Sequence, residues 1–238
     1  MRLPLESVDA ITEPQIRLRP RILDTTIGSL FVPQQISLFH GSERAPLSIL
    51  AHSVIVSAAR FENTSCIYLD SGTNFSSSLV RSLCSPHDDS GKILEKIVVG
   101  QILGLDDVIE KVKMLRDFND VSLVVLDSLT AALNQTGAPG TKGRQRNLFK
   151  AMDSIRRVVN EINTHVMITD HSSQNWISGE SIPIGGNVLS HSVDSVVLVD
   201  RLRKGQETVR ILVERCPLPN PPPGVMVKIG AKGVRSIR

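Results

Sequence analysis

The sequence predicts an α/β domain with a central, mostly parallel sheet flanked by helices. Short apolar stretches alternate with amphipathic helical stretches through most of the chain. The segment VSLVVLD at residues 121–127 is mostly apolar and rich in valine and leucine, as expected for a strand buried on both faces of a parallel sheet. Residues 193–202, 208–214 and 225–229 are also strand-like, so we expect a strand-rich C-terminal end.

The remaining elements follow from hydrophobic periodicity and from the positions of glycine and proline. The expected strands are residues 35–39, 66–70, 93–99 and 165–170, and the expected helices are residues 47–60, 75–83, 105–118, 144–162 and 188–191. We expect one core domain over residues 21–238, because the sequence contains no internal repeat and no clear boundary for a second domain. Residues 1–20 are interrupted by prolines and are expected to form an extended arm on the domain surface.

The composition is that of a globular protein. The 238 residues are 41% hydrophobic and 21% charged, and only 3% are aromatic, so the core must be aliphatic. The net charge of +3 is compatible with nucleic-acid binding but too small to predict it. Cys66, Cys84 and Cys216 are far apart and form no C-x-x-C motif, which favours reduced thiols and a cytoplasmic location. The sequence has no signal-peptide pattern at its start and no apolar run long enough to span a membrane.

The stretch between the first strand and the first long helix resembles a phosphate-binding loop. Gly41 and Ser48 occupy the first and last positions of the pattern G-x-x-x-x-G-K-[ST]. Pro46 stands where the second glycine belongs, and Leu47 stands where the lysine belongs. Proline has no N–H to offer a phosphate, and leucine has no charge. The pattern alone leaves open whether this stretch is a phosphate loop that has been rebuilt without its cation or no nucleotide site at all.

Five segments together resemble the ATPase core of the RecA superfamily, in the archaeal RadA/RadB recombinase branch and its eukaryotic counterparts. They are YLDS at residues 68–71, LVVLDSLT at 123–130, RQRNL at 144–148, PIGGNVLSH at 183–191 and LRKG at 202–205. Each segment alone is weak evidence for the resemblance, but the five occur in the same order as in the family. The resemblance extends over about residues 24–237 and implies a RecA-like fold without the helix-hairpin-helix domain that precedes the RadA core.

The resemblance implies a vestigial nucleotide site formed by Gly41, Arg44, Ser48 and Asp127, with Ser48 and Asp127 on the magnesium side. Arg44 is the residue that could replace the missing lysine. An alternative role for Asp127 is that of a hydrogen-bond acceptor or helix cap.

Two further departures concern catalysis. Gly72 occupies the position of the family's catalytic glutamate. His171 occupies the position of the glutamine that senses the γ-phosphate, and Gln174 lies three residues further on. We therefore expect no catalytic residues and no required cofactor, with ATP and magnesium binding without hydrolysis as the remaining possibility. We also expect no metal site, because the chain's histidines show neither metal-ligand spacing nor cysteine partners.

The resemblance also implies two DNA-binding loops, at residues 134–143 and 172–187. The first is flanked by Lys142, Arg144 and Arg146, which could equally form a solvated helix start. The second contains Trp176 as a base-stacking candidate and ends near Asn187.

The sequence thus leads to three hypotheses. The first is an ATPase-deficient recombinase paralogue that acts as an accessory or mediator in homologous recombination and DNA repair. Its expected partners are single-stranded or double-stranded DNA, a RadA-type recombinase or another paralogue, and it could form a homo-oligomer. The second is an unorthodox DNA-dependent ATPase of the RadA/RadB type. The third is a KaiC-like signalling or scaffolding protein without a DNA role.

Overall fold

The computed structural model describes residues 16–61, 64–136, 141–174, 181–203 and 205–237. The strands are β1 (Ile36–Gly41), β2 (Ser65–Asp70), β3 (Ile97–Gln101), β4 (Val121–Asp127), β5 (His165–Gln174), β6 (Ser181–Pro183), β7 (Ser195–Arg201), β8 (Thr208–Arg215), β9 (Val225–Gly230) and β10 (Gly233–Ser236). The helices are α1 (Arg21–Ile27), α2 (Arg44–Ala58), α3 (Ser77–Leu83), α4 (Ser90–Glu95), α5 (Leu105–Met114), α6 (Leu129–Asn134), α7 (Lys142–Ile162) and α8 (Gly186–Ser192). None of the helices in the described ranges is long and apolar enough to cross a membrane.

The strands form a sheet in the order β10-β9-β8-β7-β1-β5-β4-β2-β3. All neighbours from β7 to β3 are parallel, whereas β8, β9 and β10 continue the sheet in antiparallel fashion. The short strand β6 pairs with the end of β5. The predicted parallel sheet with a strand-rich C-terminal end is confirmed. The carboxyl ends of the central strands meet at one edge, which is where open α/β sheets bind their ligands.

Apolar side chains fill a layer on each face of the sheet. One layer contains residues of α1 and α2, and the other contains residues of α5, α6, α7 and α8. Ile16 and Leu18 are buried in the first layer, and the Arg19 N–H donates to Ser57 Oγ of α2 at 3.3 Å. The end of the predicted arm thus packs against the domain, while residues 1–15 lie outside the described residues.

Helix α7 shows how the local sequence sets an element's limits. Thr141 caps its first turn by accepting a hydrogen bond from the Arg144 N–H. Leu148 and Met152 belong to its buried face. The helix ends at Asn163, which adopts a left-handed conformation with φ of 54°.

The expected strand at residues 93–99 is wrong in its first half, because α4 covers residues up to Glu95 and β3 begins only at Ile97. The helix forms because the Asp89 carboxylate accepts hydrogen bonds from the N–H groups of Gly91 and Lys92. Asp89 is a local signal for a helix start, but the apolar residues that follow it favoured a strand.

Candidate functional site

The turn between β1 and α2 is much tighter than a phosphate-binding loop. Strand β1 extends to Gly41, and α2 already begins at Arg44, whereas the sequence predicted a helix start at Leu47. Only Ser42 and Glu43 lie between the two elements. A phosphate loop needs several consecutive N–H groups arranged around the anion. Here the corresponding residues are part of the first turn of α2.

Two polar contacts fasten this turn to β7. Ser42 Oγ donates a hydrogen bond to Asp200 Oδ1 at 3.1 Å. The Glu43 carboxylate lies 2.9 Å from Arg201 Nε and forms an ion pair with it. The Arg201 Nε–H has no well-aligned acceptor, so the pair acts through charge rather than through a directed hydrogen bond. Both contacts hold the turn against the neighbouring strand.

Gly41 and Arg44 also contribute to the closed conformation of the β1–α2 turn. A Cβ atom on Gly41 would lie 2.0 Å from the Val199 carbonyl oxygen, so only glycine fits at this point. The Arg44 guanidinium donates a hydrogen bond to the Gly72 carbonyl, on the loop after β2. Arg44 therefore bridges two loops in this structure instead of extending into an open phosphate site.

Pro46 and Leu47 both belong to the start of α2. Pro46 is the third residue of the helix, where the backbone N–H would have no partner within the helix, so proline is tolerated there. Leu47 is only 2% exposed and is part of the apolar layer on this face of the sheet. The position that carries a lysine in the pattern is thus occupied by a core side chain.

Asp127, at the end of β4, is almost fully buried and accepts hydrogen bonds on both carboxylate oxygens. The Tyr68 hydroxyl donates to Oδ2, and Thr169 Oγ1 donates to Oδ1 at 2.6 Å. Burial, and then the charge of Asp127, raise the pKa of Tyr68, so its hydroxyl stays protonated and remains a donor. The Ser48 side chain interacts with Tyr68 and acts on this pKa in the opposite direction. Ser48 and Asp127 are thus brought together through Tyr68, and Asp127 acts as a hydrogen-bond acceptor.

The loop after β2 contains Gly72, the residue at which the resemblance implies a glutamate in the family. The Asp70 carboxylate accepts hydrogen bonds from the N–H groups of Gly72, Asn74 and Phe75 at 2.9 to 3.0 Å, which orders this loop. A Cβ atom on Gly72 would lie 2.5 Å from Arg44 Nη2. A side chain at residue 72 is therefore incompatible with the present position of Arg44.

The end of β5 carries a buried carboxylate, Asp170, next to His171. Asp170 is fully buried and accepts hydrogen bonds from the Thr130 hydroxyl and from the Gly185 N–H at 3.1 Å. Burial raises the pKa of Asp170. His171 is partly buried beside it, and the side chain of Gln174 lies outside the described residues.

His52 also belongs to the candidate site, although the sequence did not indicate it. Its Nδ1–H donates to the Ser48 carbonyl at 2.8 Å, and its Nε2 accepts from the Ser76 N–H at 3.1 Å. Burial lowers the pKa of His52, which agrees with this neutral tautomer. Its ring packs against Tyr68 and Phe75, with centroids 5.1 and 5.5 Å away. The only available signal was the spacing of four residues from Ser48, which places both residues on one side of a helix.

The predicted DNA-binding residues on α7 differ in their surroundings. Lys142 and Arg146 are exposed at the start of the helix. Arg144 is only 7% exposed, and its Nη2 donates to Asn134 Oδ1 at 3.2 Å. The structure therefore places two of the three cations at the surface and uses the third to join α6 to α7.

Asn187 lies in α8 and lines a groove of about 640 Å³ between the β5–β6 hairpin, α8 and strands β7 and β8. Trp176 lies outside the described residues, so its predicted stacking role stays a prediction. The buried His40 forms part of the framework of this groove. Its Nδ1 lies 2.8 Å from Ser172 Oγ, and its Nε2 lies 2.8 Å from Glu214 Oε2.

Comparison with known proteins identifies relatives of this chain. The Rad51 family matches residues 15–236. The chain is 22% identical over 221 residues to the DNA repair and recombination protein RadA of Methanocorpusculum labreanum, covering 80% of this chain and 67% of that protein. It is 21% identical over 229 residues to the DNA repair protein RAD51 of Mycosarcoma maydis, covering 89% and 67%. A crystal structure of the RadB recombinase superposes with a TM-score of 0.76 at 16% identity, covering 91% of this chain and 96% of that one. The predicted RecA-like fold and the resemblance to the RadA/RadB branch are confirmed.

Proposed function

The chain belongs to the Rad51 family, and from that premise we propose that it is an ATPase-deficient recombinase paralogue. It acts as an accessory or mediator in homologous recombination and DNA repair, and it binds DNA, a recombinase or another paralogue. The observation that carries this proposal is the closed turn between β1 and α2, where only two residues separate strand from helix.

Three features support the absence of ATP hydrolysis. Leu47 is buried where a phosphate-binding lysine would be needed. Gly72 offers no carboxylate to orient water, and Asp70 is already used by three backbone N–H groups. Phosphoryl transfer depends almost entirely on positioning and charge, so the joint loss of these parts is expected to abolish it.

Single-turnover hydrolysis of ATP by the purified chain tests this part of the proposal. We expect no phosphate release above that of buffer, with or without single-stranded DNA. Asp127→Ala is the control, and Asp127→Asn is a milder one that keeps an acceptor oxygen for one of the Tyr68 and Thr169 hydroxyls. Hydrolysis by the wild type that both variants lose would refute the proposal and favour the unorthodox ATPase.

The DNA-binding part of the proposal depends on Lys142 and Arg146, because these side chains are exposed and can reach phosphates. Binding that depends on phosphate contacts weakens steeply with salt, with a slope of roughly 0.7 per contact on single strands. Fluorescence anisotropy of a labelled single strand at several salt concentrations measures this slope.

The double variant Lys142→Gln/Arg146→Gln should bind more weakly and with a smaller slope. The double variant Lys113→Gln/Lys228→Gln removes the same charge from two other exposed positions and should bind as the wild type does. Equal weakening in both double variants would argue for non-specific attraction only. No binding at any salt concentration would favour the scaffolding hypothesis.

The protein partner is the third part of the proposal. The predicted arm at residues 1–20 is a candidate for docking on a neighbouring subunit by strand addition, and its alternative role is to cover an edge of its own sheet. Binding of the full chain and of a variant without residues 1–15 to a purified RadA-type recombinase measures the contribution of the arm. Equal affinity of the two would remove the arm from the proposal.

A further inference from the structure

A second pocket, of about 300 Å³, lies away from the β1–α2 turn. Its lining includes three cationic side chains, Arg19, Arg60 and Lys232, and no acidic one. The cations come from three separate segments, which are the residues before α1, the residues after α2 and the turn between β9 and β10. Their convergence on one pocket is therefore a property of the tertiary fold.

The pocket is independent of the vestigial nucleotide site. Helix α2 begins in the β1–α2 turn and contains 15 residues, so its two ends are roughly 20 Å apart. Ser53, Val56 and Arg60 bring the second half of α2 and the residues after it to the pocket. A ligand bound here cannot contact the β1–α2 turn at the same time unless it is very long.

Arg60 is held in place by an acidic partner outside the lining. Its Nη2 and Nε donate to Asp88 Oδ2 at 2.8 and 3.1 Å, and the Ser85 N–H donates to the same oxygen at 2.7 Å. Hydrogen bonding from Arg60 holds the pKa of Asp88 at about 2, so the carboxylate is charged at neutral pH. Asp88 thus fixes the guanidinium and offsets its charge.

Arg19 and Lys232 have no such partner. Among the residues that the structure describes, neither side chain forms an ion pair. The carbonyl end of α2 favours a nearby cation, which gives Arg60 a purely structural reason to be there. That reason does not extend to Arg19 and Lys232, which belong to other segments. Two uncompensated positive charges therefore lie at the same pocket.

We propose that this pocket binds a phosphate group through Arg19 and Lys232, with Arg60 as a further contact. A phosphate monoester carries a charge of about −1.5 to −2 at neutral pH, which matches the two uncompensated cations better than a single carboxylate does. Guanidinium and ammonium groups are the usual protein partners of phosphate. The phosphate belongs either to a free phosphoanion or to the end of a nucleic-acid strand. This site goes beyond the proposed function, because it requires neither a recombinase partner nor the β1–α2 turn.

Calorimetric titration of the full chain tests the site with three probes at constant ionic strength, because salt screens such contacts. The probes are inorganic phosphate, a 5′-phosphorylated single strand and the same strand with a 5′-hydroxyl. We expect saturable binding of inorganic phosphate. Tighter binding of the phosphorylated strand than of the hydroxyl strand would assign the phosphate to a strand end. Equal binding of the two strands would assign it to a free phosphoanion.

The double variant Arg19→Gln/Lys232→Gln should weaken phosphate binding by on the order of tenfold for each cation removed. Both side chains are exposed, so the variant should unfold at the same temperature as the wild type, and Lys232→Gln alone should give about half of the effect on a logarithmic scale. Lys113→Gln/Lys150→Gln removes the same charge from α5 and α7 and should leave binding unchanged. The proposal fails if the wild type shows no saturable binding of phosphate. It also fails if the pocket variant binds as tightly as the wild type, or if the control variant weakens equally.

Discussion

Replacing Leu47 with lysine restores the residue type that a phosphate loop needs, yet we expect Leu47→Lys to destabilise the protein without restoring ATP binding. Leu47 is only 2% exposed and packs in the apolar layer between α2 and the sheet. The lysine must either bury its ammonium group or direct it outward and give up part of this packing. The β1–α2 turn would still lack an N–H at Pro46 and would still be held closed by its contacts with β7.

The size of the effect follows from the position of Leu47. Losing the burial of a leucine side chain costs about 1.5–3 kcal/mol. Leu47 is in the first turn of α2, where a positive charge opposes the helix dipole and costs about 0.3–1 kcal/mol more. The free energy of unfolding should therefore fall by about 2–4 kcal/mol.

Urea denaturation followed by circular dichroism measures this change, and calorimetric titration with ATP measures binding. Leu47→Met is the matched control, because it keeps the volume and polarity of the side chain and should cost less than about 1.5 kcal/mol. Our account of the turn would be refuted if Leu47→Lys were as stable as the wild type and bound ATP.

Three further predictions concern the buried side chains of Tyr68, His165 and Cys66. Tyr68→Phe removes the hydroxyl that donates to Asp127 and should lower the free energy of unfolding by about 1.5–3 kcal/mol in urea denaturation. Burial lowers the pKa of His165 to about 4. The unfolded chain therefore binds this proton first, and stability should fall as the pH drops from 6.5 towards 4, by about 2 kcal/mol at pH 5. His165→Asn, which can still donate to the Val32 carbonyl, should flatten that pH dependence. Burial raises the pKa of the Cys66 thiol to about 11. Cys66 should therefore react with a thiol reagent at pH 8 only after denaturation. Fast labelling of Cys66 itself in the native state would contradict its burial.

The fold was largely predictable because its main signals are local. The segment Val121–Asp127 is mostly apolar and forms β4 with the predicted limits. The C-terminal strands were recognised in the same way, although β10 (Gly233–Ser236) was missed because it is short. The error at α4 arose because Ile93 extended the apolar pattern of β3, while the cap at Asp89 lay just before it.

The candidate site was less predictable because its geometry depends on contacts between distant segments. The resemblance assigned Gly41, Ser48 and Asp127 to one site, but the expected helix began at Leu47 rather than at Arg44. The ion pair between Glu43 and Arg201 closes the β1–α2 turn, and 158 residues separate the two in sequence. No local pattern indicates such a pair.

The closed turn also has a consequence for the history of the sequence. Lysine at residue 47 removes a core side chain, whereas a side chain at residue 72 requires only that the exposed Arg44 guanidinium move aside. Glycine in place of Pro46 makes the start of α2 more flexible, at a cost in conformational entropy. The steps at residues 46 and 47 therefore each lead through a less stable protein. Under the proposed function, a lineage that carries these contacts regains a nucleotide site only through such intermediates.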